Sequence, residues 1–243
     1  MGTYLRTFYR TRTPNERVVY MKKMAIVLVG GILLVATVCA NAQMKMSLGV
    51  KGGLAMSTMY GTDIDALAVG MDKGMRAGMD IGAAFTIGFT KLLGMSAEAH
   101  YAQKGVKIAT ITDGENNYME FKMDYIDIPV LLSISPFHGR VTPCLVVGPQ
   151  LSIKTSAEIG GKVDGATVPD AAWADVYLPK PAAMDFGFAA GAGVAISVGP
   201  GKALIEYRFC MGFITVDGSS SGTKAVMKNM VPAAIMAGYM VAL

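Results

Sequence analysis

The sequence has few charged residues, few histidines and few cysteines. Only 16% of the 243 residues are charged and 52% are hydrophobic, a composition that excludes a disordered chain. Two histidines, His100 and His138, are the candidates for the base that a nucleophilic catalyst needs. Three cysteines, Cys39, Cys144 and Cys210, have no spacing that requires a disulfide. The composition therefore favours a folded protein without a redox or catalytic framework.

Long hydrophobic runs are also missing. The longest, residues 24–38, has 15 residues, whereas a membrane-spanning helix needs about 20. The run follows Lys22 and Lys23 and is succeeded by Ala40-Asn41-Ala42, the small-x-small pattern of a secretory cleavage site. These features predict an exported protein with a cleaved signal peptide. Lipid attachment at Cys39 is the alternative, although Val38 replaces the small residue that such signals usually carry.

The chain is predicted to have three parts. They are an upstream extension at residues 1–20, a signal peptide at residues 21–42, and one domain at residues 43–243. Residues 1–42 carry six of the 22 basic and one of the 18 acidic side chains, so 16 basic and 17 acidic side chains remain. The basic pI therefore gives no evidence for a nucleic-acid partner.

The remaining sequence alternates between apolar and polar or small residues with a period of two, which indicates β-strands. Apolar residues occupy every second position from Met75 to Phe89, and aliphatic residues do so from Ile126 to Ile134. The last strand, residues 228–243, is expected to place Val231 and Ile235 on its apolar face. Eight such segments predict an all-β fold, an eight-stranded antiparallel up-and-down transmembrane β-barrel with its apolar ladders facing lipid.

Short and long connections alternate along the predicted strands, as they do in outer-membrane barrels. The prediction is a multi-pass barrel in the cell outer membrane, in contact with outer-membrane lipid, with both termini in the periplasm. A soluble periplasmic sandwich is the alternative, and its apolar ladders would face a closed core between two sheets.

Charged residues of both signs lie on the face opposite the apolar ladders. Eight strands enclose room for side chains only, so these groups are expected to plug the lumen with ion pairs. We expect Asp127 to pair with Arg76 or Arg208. No catalytic residue, cofactor site or metal site is predicted. The predicted lumen polar network consists of Arg76, Asp80, Glu98, His100, Asp127, Asp185, Glu206 and Arg208.

Two local features carry further expectations. Pro129 lacks a backbone donor within a predicted strand, which predicts a bulge or a lost ladder bond there. The segment from Ala157 to Pro181 leaves the alternating pattern, and its length suggests a loop that binds a partner through Trp173 and Tyr177.

The residues resemble the PorT-like outer-membrane β-barrel domain family over most of Leu48 to Tyr239. The resemblance rests on the order and spacing of short segments: Gly49 to Leu54, Glu98 to Gly105, Tyr125 to Pro129, Gly148-Pro149, Gly187 to Gly193, and Gly238-Tyr239. It implies an eight-stranded barrel and, from the best-known relative, assistance to protein secretion. The chain departs from the family at Asp127, where glutamate is commoner, and at Leu243, where an aromatic residue is usual.

The function predicted on these grounds is that of a non-enzymatic, plugged barrel with a structural or interaction role that assists secretion or surface assembly. Its expected partners are other cell-envelope or secretion proteins. The alternative is a barrel that binds or transports a small hydrophobic or ionic ligand.

Overall fold

The computed structural model describes residues 44–112, 115–137, 139–163, 166–168, 182–214 and 227–243. The predicted extension and signal peptide at residues 1–42 lie outside this part of the chain and stay predictions. His138, Trp173 and Tyr177 also lie outside it.

Nearly all of the described chain is β-strand, because its period-two pattern is continuous over long segments. One short helix is present among the described residues, α1 (Thr62–Leu67), and it follows the first strand. None of the described helices is long and apolar enough to cross a membrane. The strands are β1 (Lys45–Tyr60), β2 (Asp72–Gly88), β3 (Leu93–Thr112), β4 (Glu115–Ile134), β5 (Val141–Val163), β6 (Ala166–Val168), β7 (Met184–Val198), β8 (Gly201–Gly212) and β9 (Lys228–Ala242).

Eight of these strands close into an antiparallel ring. The order is β4, β3, β2, β1, β9, β8, β7, β5, and β5 pairs with β4 to complete the ring. Among the described residues, the three-residue strand β6 pairs with the last residues of β5 and stands outside the ring. The predicted fold class, an eight-stranded antiparallel barrel, is confirmed. Closure satisfies the backbone donors and acceptors along each strand, which is a requirement for any sheet that crosses lipid.

The two ends of the barrel differ. We call the end where β1 begins and β9 finishes the turn end, because the connections β2–β3, β4–β5 and β7–β8 are short there. The opposite end, called the loop end, carries α1 and β6. Strands β3, β4 and β5 have 20, 20 and 23 residues, whereas β8 has 12. The β3–β4–β5 sheet is therefore longest, and β5 continues to Val163 instead of leaving the strand pattern at Ala157.

Apolar side chains cover the outside of the ring and polar ones point inward. Leu54 is 68% exposed and Ile235 is 63% exposed, while Glu98 is 3% exposed and Arg208 is 2% exposed. The row from Ile128 to Leu132 follows the same rule, with Ile128, Val130 and Leu132 exposed. A protein with this inverted distribution has its apolar surface outside, which excludes the soluble sandwich.

Strand pairing is interrupted on both sides of β4 near Pro129, and again at Pro232. On the β3 side of Pro129, the paired residues are Val130 with Ala97 and then Asp127 with His100, so the pairs between them are missing. On the β5 side, Pro129 pairs with Gln150, but the next pair is Leu132 with Val147, so the pairs of Val130 and Leu131 are missing there. The lost ladder bond predicted at Pro129 is confirmed, and the register is the same on both sides of the gap.

The second interruption, at Pro232 in β9, was not predicted. The register of β9 shifts by one residue there against both neighbours, β1 and β8. This bulge reverses the side-chain alternation, so Val231 is 5% exposed and packs inside the barrel. The expectation that Val231 shares the outward face with Ile235 is wrong, because a single inserted residue exchanges the two faces of a strand.

Candidate functional site

The interior of the barrel is the part of the molecule where chemistry-bearing side chains meet. All eight residues of the predicted lumen polar network are buried, each 9% exposed or less, but Arg76 bonds to Glu120, which lies on the outward row of β4. The period of two along each strand turns these side chains inward. Asp80, Glu98, Asp185 and Glu206 each stand between two exposed apolar residues of their own strand.

Four charges at the centre form a closed set, which we call the inner quartet: Lys51, Glu98, Glu206 and Arg208. Lys51 Nζ donates to Glu98 Oε1 at 2.7 Å and to Glu206 Oε2 at 2.9 Å. Arg208 Nη1 donates to Glu98 Oε2 at 2.7 Å, and its Nε donates to Glu206 Oε1 at 2.7 Å. Each cation thus contacts both acids, so the two positive and two negative charges balance.

Lys51 was absent from the predicted network. It lies on the polar face of β1, opposite Leu48 and Val50, and is 6% exposed. Its position on the polar face of β1 is the sequence feature from which Lys51 could have been assigned to the network. Lys51 reaches Glu98 two strands away around the ring, a contact that the alternation of β1 alone does not reveal.

His100 extends the quartet towards β2. Its Nδ1 lies 2.7 Å from Asp80 Oδ1, and its Nε2 lies 3.0 Å from Glu98 Oε2. The Asp80 contact is a hydrogen bond and orients the ring, whereas Nε2 is buried close to Glu98 without a well-directed hydrogen bond. The ring also fills space over Gly82, where a Cβ would lie 2.7 Å from His100 Cγ. Glycine in β2 therefore makes room for the histidine.

A second cluster lies nearer the loop end and contains Lys104, Asp127, Gln150 and Ser152. Lys104 Nζ donates to Asp127 Oδ1 at 2.8 Å and to Ser152 Oγ at 3.1 Å, and Gln150 Nε2 donates to Asp127 Oδ2 at 2.9 Å. Lys104 Nζ also lies 4.9 Å from the centre of the Tyr125 ring. Asp127 therefore pairs with Lys104, and the expectation of Arg76 or Arg208 as its partner is wrong.

Arg76 makes a separate set of contacts. Its Nε donates to Glu120 Oε1 at 3.0 Å, and its Nη1 donates to the Lys104 carbonyl at 2.7 Å. The side chain passes beside Gly105, where a Cβ would lie 3.1 Å from Arg76 Cδ and where φ is +152°. Regular β2–β3 pairing stops between Met75 and Asp80, so the arginine replaces a lost ladder bond.

Asp185 is the one predicted charge that forms no ion pair among the contacts of the described residues. Its Oδ1 accepts a hydrogen bond from the Ile214 backbone N–H at 3.1 Å. It borders a small cavity, shared with Lys104, Gln150 and Asn229, that has space for on the order of one water molecule.

Apolar layers separate these polar groups from the loop end. Ile64 of α1 is fully buried and packs with residues of β1, β3 and β4 across the loop end. We call this layer the apolar cap: Met59, Ile64, Val106, Ile108, Met123, Tyr125 and Met227. A second apolar cluster inside the barrel includes Leu131 and Ala189, each 0% exposed. Buried apolar clusters therefore lie inside the barrel beside the ion pairs.

Comparison with known proteins agrees with this architecture. The sequence matches the family model of the outer membrane protein beta-barrel domain over residues 41–218. The chain belongs to this family. It is an outer-membrane β-barrel protein, and the predicted localisation in the outer membrane is confirmed at that level. No curated protein is detectably similar to it in sequence.

Several solved structures are similar to this outer-membrane barrel. OprG from Pseudomonas aeruginosa has 15% identity and a TM-score of 0.48, with 81% of this chain and 95% of that chain covered. Neisserial surface protein A has 15% identity and a TM-score of 0.40, with coverage of 80% and 96%. Ail of Yersinia pestis, solved with the heparin analogue sucrose octasulfate, has 12% identity and a TM-score of 0.37, with coverage of 81% and 99%.

Groups for other chemistry are scarce in the part of the barrel that the structure describes. No cluster of three or more His, Cys, Asp or Glu side chains there is arranged to hold a metal ion. Cys144 and Cys210 are both free thiols. The described interior is built from charges that neutralise each other, an arrangement that fixes strand register and fills space.

Proposed function

We propose that this protein is a closed, non-enzymatic outer-membrane barrel with a structural or interaction role in secretion or surface assembly, in the manner that the PorT-like resemblance implies. The inner quartet is the observation that carries the proposal. It joins β1, β3 and β8 across the lumen through contacts of 2.7 to 2.9 Å. Ions crossing the barrel would have to break buried ion pairs, which is costly.

The surface available for partners is the extension of β3, β4 and β5 at the loop end. About 9 to 11 tilted residues cross a membrane, so roughly half of the 20 residues of β4 extend beyond it. The face of this extension that continues the lipid-facing row carries Glu120, Lys122 and Asp124, and β5 adds Glu158 beside Lys122. Charged side chains on a long, paired sheet suit recognition of another protein better than contact with lipid.

The proposed orientation places the turn end in the periplasm, since both ends of the ring-forming chain, Lys45 and Ala242, lie there. Short turns at the periplasmic side and longer connections outside are the usual arrangement in this class. The extension of β3, β4 and β5 then projects from the cell surface.

The alternative is a barrel that binds or transports a small hydrophobic or ionic ligand. The polar cavity beside Asp185 is the feature that favours it. That cavity holds on the order of one water molecule and is bounded by Lys104 and Gln150 of the second cluster. The closed barrel is therefore the better supported function.

Single-channel recording in planar bilayers tests the closed state. The native protein is expected to give no sustained conductance, and a variant in which all four residues of the inner quartet become alanine is expected to conduct intermittently. Sustained conductance by the native protein would overturn the closed barrel and support transport.

Photo-cross-linking in intact cells tests the interaction role. A cross-linking amino acid at Lys122 or Glu158 is expected to capture one discrete envelope protein, and the same group at Leu54, on the lipid-facing surface, serves as the control. Equal labelling patterns at the extension and at Leu54 would contradict the proposed recognition surface.

A further inference from the structure

A small polar cavity lies inside the barrel next to the second cluster. Polar and sulfur-bearing side chains line its wall: Lys104, Gln150, Ser152, Asp185, Cys210 and Asn229. These residues belong to β3, β5, β7, β8 and β9. The cavity has space for on the order of one water molecule. A single small ligand in it would therefore contact side chains from several strands at once.

Asp185 provides a buried carboxylate at this cavity. The residue is 7% exposed, and its Oδ1 accepts a hydrogen bond from the Ile214 backbone N–H at 3.1 Å. Its Oδ2 lies against Gly212, at 2.1 Å from the position that a Cβ would take there. None of the ion pairs between described residues includes Asp185. A carboxylate has about four lone-pair sites, so Asp185 keeps acceptor capacity at the cavity.

Asn229 provides a second acceptor. It is 3% exposed, it lines the same cavity, and its side chain adjoins that of Asp185. Its Nδ2 donates to the Tyr125 hydroxyl at 2.9 Å, whereas its Oδ1 has no hydrogen-bond partner among the described residues. A buried carbonyl oxygen without a partner is costly, because the hydrogen bonds that it makes with water in the unfolded chain are lost. The wall of the cavity thus holds two acceptors, one from β7 and one from β9.

Lys104 provides a donor at the cavity. Its Nζ carries three N–H groups, and contacts with Asp127 Oδ1 at 2.8 Å and Ser152 Oγ at 3.1 Å engage two of them. Lys104 and Asp127 balance each other in charge, so Asp185 is the negative charge in excess within the set that lines the cavity or pairs with its wall. A ligand that fits must therefore donate to Asp185 and Asn229 and accept from Lys104.

Water meets these requirements better than a cation. One water molecule both donates and accepts, and buried waters make about three hydrogen bonds to groups that are otherwise unsatisfied. A metal ion offers no acceptor to Lys104 and adds a positive charge beside its ammonium group. Calcium also takes about 6–8 oxygen ligands, and the residues that the structure describes include no cluster of three or more His, Cys, Asp or Glu side chains to hold a metal ion. The wall of the cavity therefore selects a neutral ligand.

We propose that this cavity binds one water molecule, which donates to Asp185 and to Asn229 Oδ1 and accepts from Lys104. The bound water connects β3, β7 and β9 across the interior of the barrel. It satisfies Asn229 Oδ1 and links the Asp185 carboxylate to the ammonium group of Lys104 without a direct ion pair. The inference is independent of the proposed function, because conductance and cross-linking do not report the hydration of this cavity.

A crystal structure of the full chain in detergent, at a resolution that shows ordered water, tests the proposal directly. A density peak is expected in the cavity at about 2.7–3.2 Å from an Asp185 carboxylate oxygen, from Asn229 Oδ1 and from Lys104 Nζ. A second crystal soaked in rubidium chloride separates water from a monovalent cation, because rubidium scatters anomalously, and no anomalous peak is expected there. A cavity without density, or an anomalous rubidium peak inside it, would overturn the proposal.

Oxygen-17 magnetic relaxation dispersion, which counts water molecules with long residence times, tests the same site in solution. Asn229→Leu removes the unpaired acceptor and fills the cavity, so a loss of about one long-lived water is expected. The matched control, Thr142→Val, replaces a buried polar side chain at the turn end and is expected to keep the native count. Heat-dependent gel mobility establishes that each variant is folded, and if Asn229→Leu does not fold, the crystallographic result on the native protein decides. Equal counts in the native protein and in folded Asn229→Leu, or the same loss in Thr142→Val, would contradict the water site.

Discussion

Replacing Glu98 with glutamine removes one charge from the inner quartet while preserving the shape of the side chain. In the native protein, Lys51 Nζ and Arg208 Nη1 each lie 2.7 Å from a Glu98 oxygen, and His100 Nε2 lies 3.0 Å away. After the substitution, Lys51 and Arg208 share Glu206 as their acid. Removing one partner from a buried ion pair costs about 3–5 kcal/mol, because the remaining charge stays buried without compensation. The free energy of unfolding is expected to fall by about that amount.

Urea unfolding in detergent, followed by the loss of the fast-migrating folded band on an unheated gel, measures this change. The control is Glu120→Gln. The Glu120 side chain is 22% exposed, and its partner Arg76 keeps its hydrogen bond to the Lys104 carbonyl, so the free energy of unfolding is expected to fall by about 1 kcal/mol or less. The double variant E98Q/K51M restores the balance of charge and is expected to recover about 1–3 kcal/mol of the loss. A cost for Glu98→Gln no larger than that of the control would refute the view that the quartet is a desolvated network.

Three other experiments test separate features. Gly82→Ala places a Cβ 2.1 Å from the Ala99 carbonyl oxygen and is expected to lower the free energy of unfolding by about 1–3 kcal/mol. In the control Gly74→Ala, the new Cβ lies 3.5 Å from the nearest atom, the Lys107 carbonyl oxygen, so no change is expected in the same urea assay. Ile64→Asp puts a carboxylate in the apolar cap and is expected to speed proteolysis at α1 without changing the position of the folded band on the gel. An unchanged rate of cleavage would contradict the conclusion that Ile64 holds α1 in place. The Cys210 thiol, 8% exposed, is expected to react with a water-soluble thiol reagent only after unfolding, and fast labelling of the folded barrel would show an open lumen.

The faces of the strands could be predicted from sequence because a barrel imposes one rule on every strand. Inside and outside alternate at every residue, so Met79, Ile81 and Ala83 were assigned outward from their spacing alone, and they are exposed. The rule failed where the backbone inserted a residue. The bulge cannot be predicted from the Val231 side chain. It could have been predicted from the next residue, Pro232, which has no N–H to donate to the neighbouring strand.

The helix α1 and the apolar cap were not predictable by the same rule. Thr62–Leu67 is a helix of six residues with Ile64 as its buried residue, too short for a helical period to be recognised. Its stability comes from tertiary contacts with β1, β3 and β4, since isolated helices of this length are not stable in water. Features that depend on long-range packing leave little trace in local sequence.

Ion-pair partners depend on a quantity that the alternation does not contain. Parity tells which face a side chain occupies, whereas pairing also requires its height in the barrel, which is set by strand register. Asp127 lies opposite His100 on β3, and Lys104, four residues farther along β3, reaches it at 2.8 Å. Arg76 is held at the β2–β3 irregularity beside Gly105 and contacts Glu120 instead. The prediction of a neutralised lumen required only the signs of the charges, so it could be made from sequence, while the assignment of each pair had to await the register.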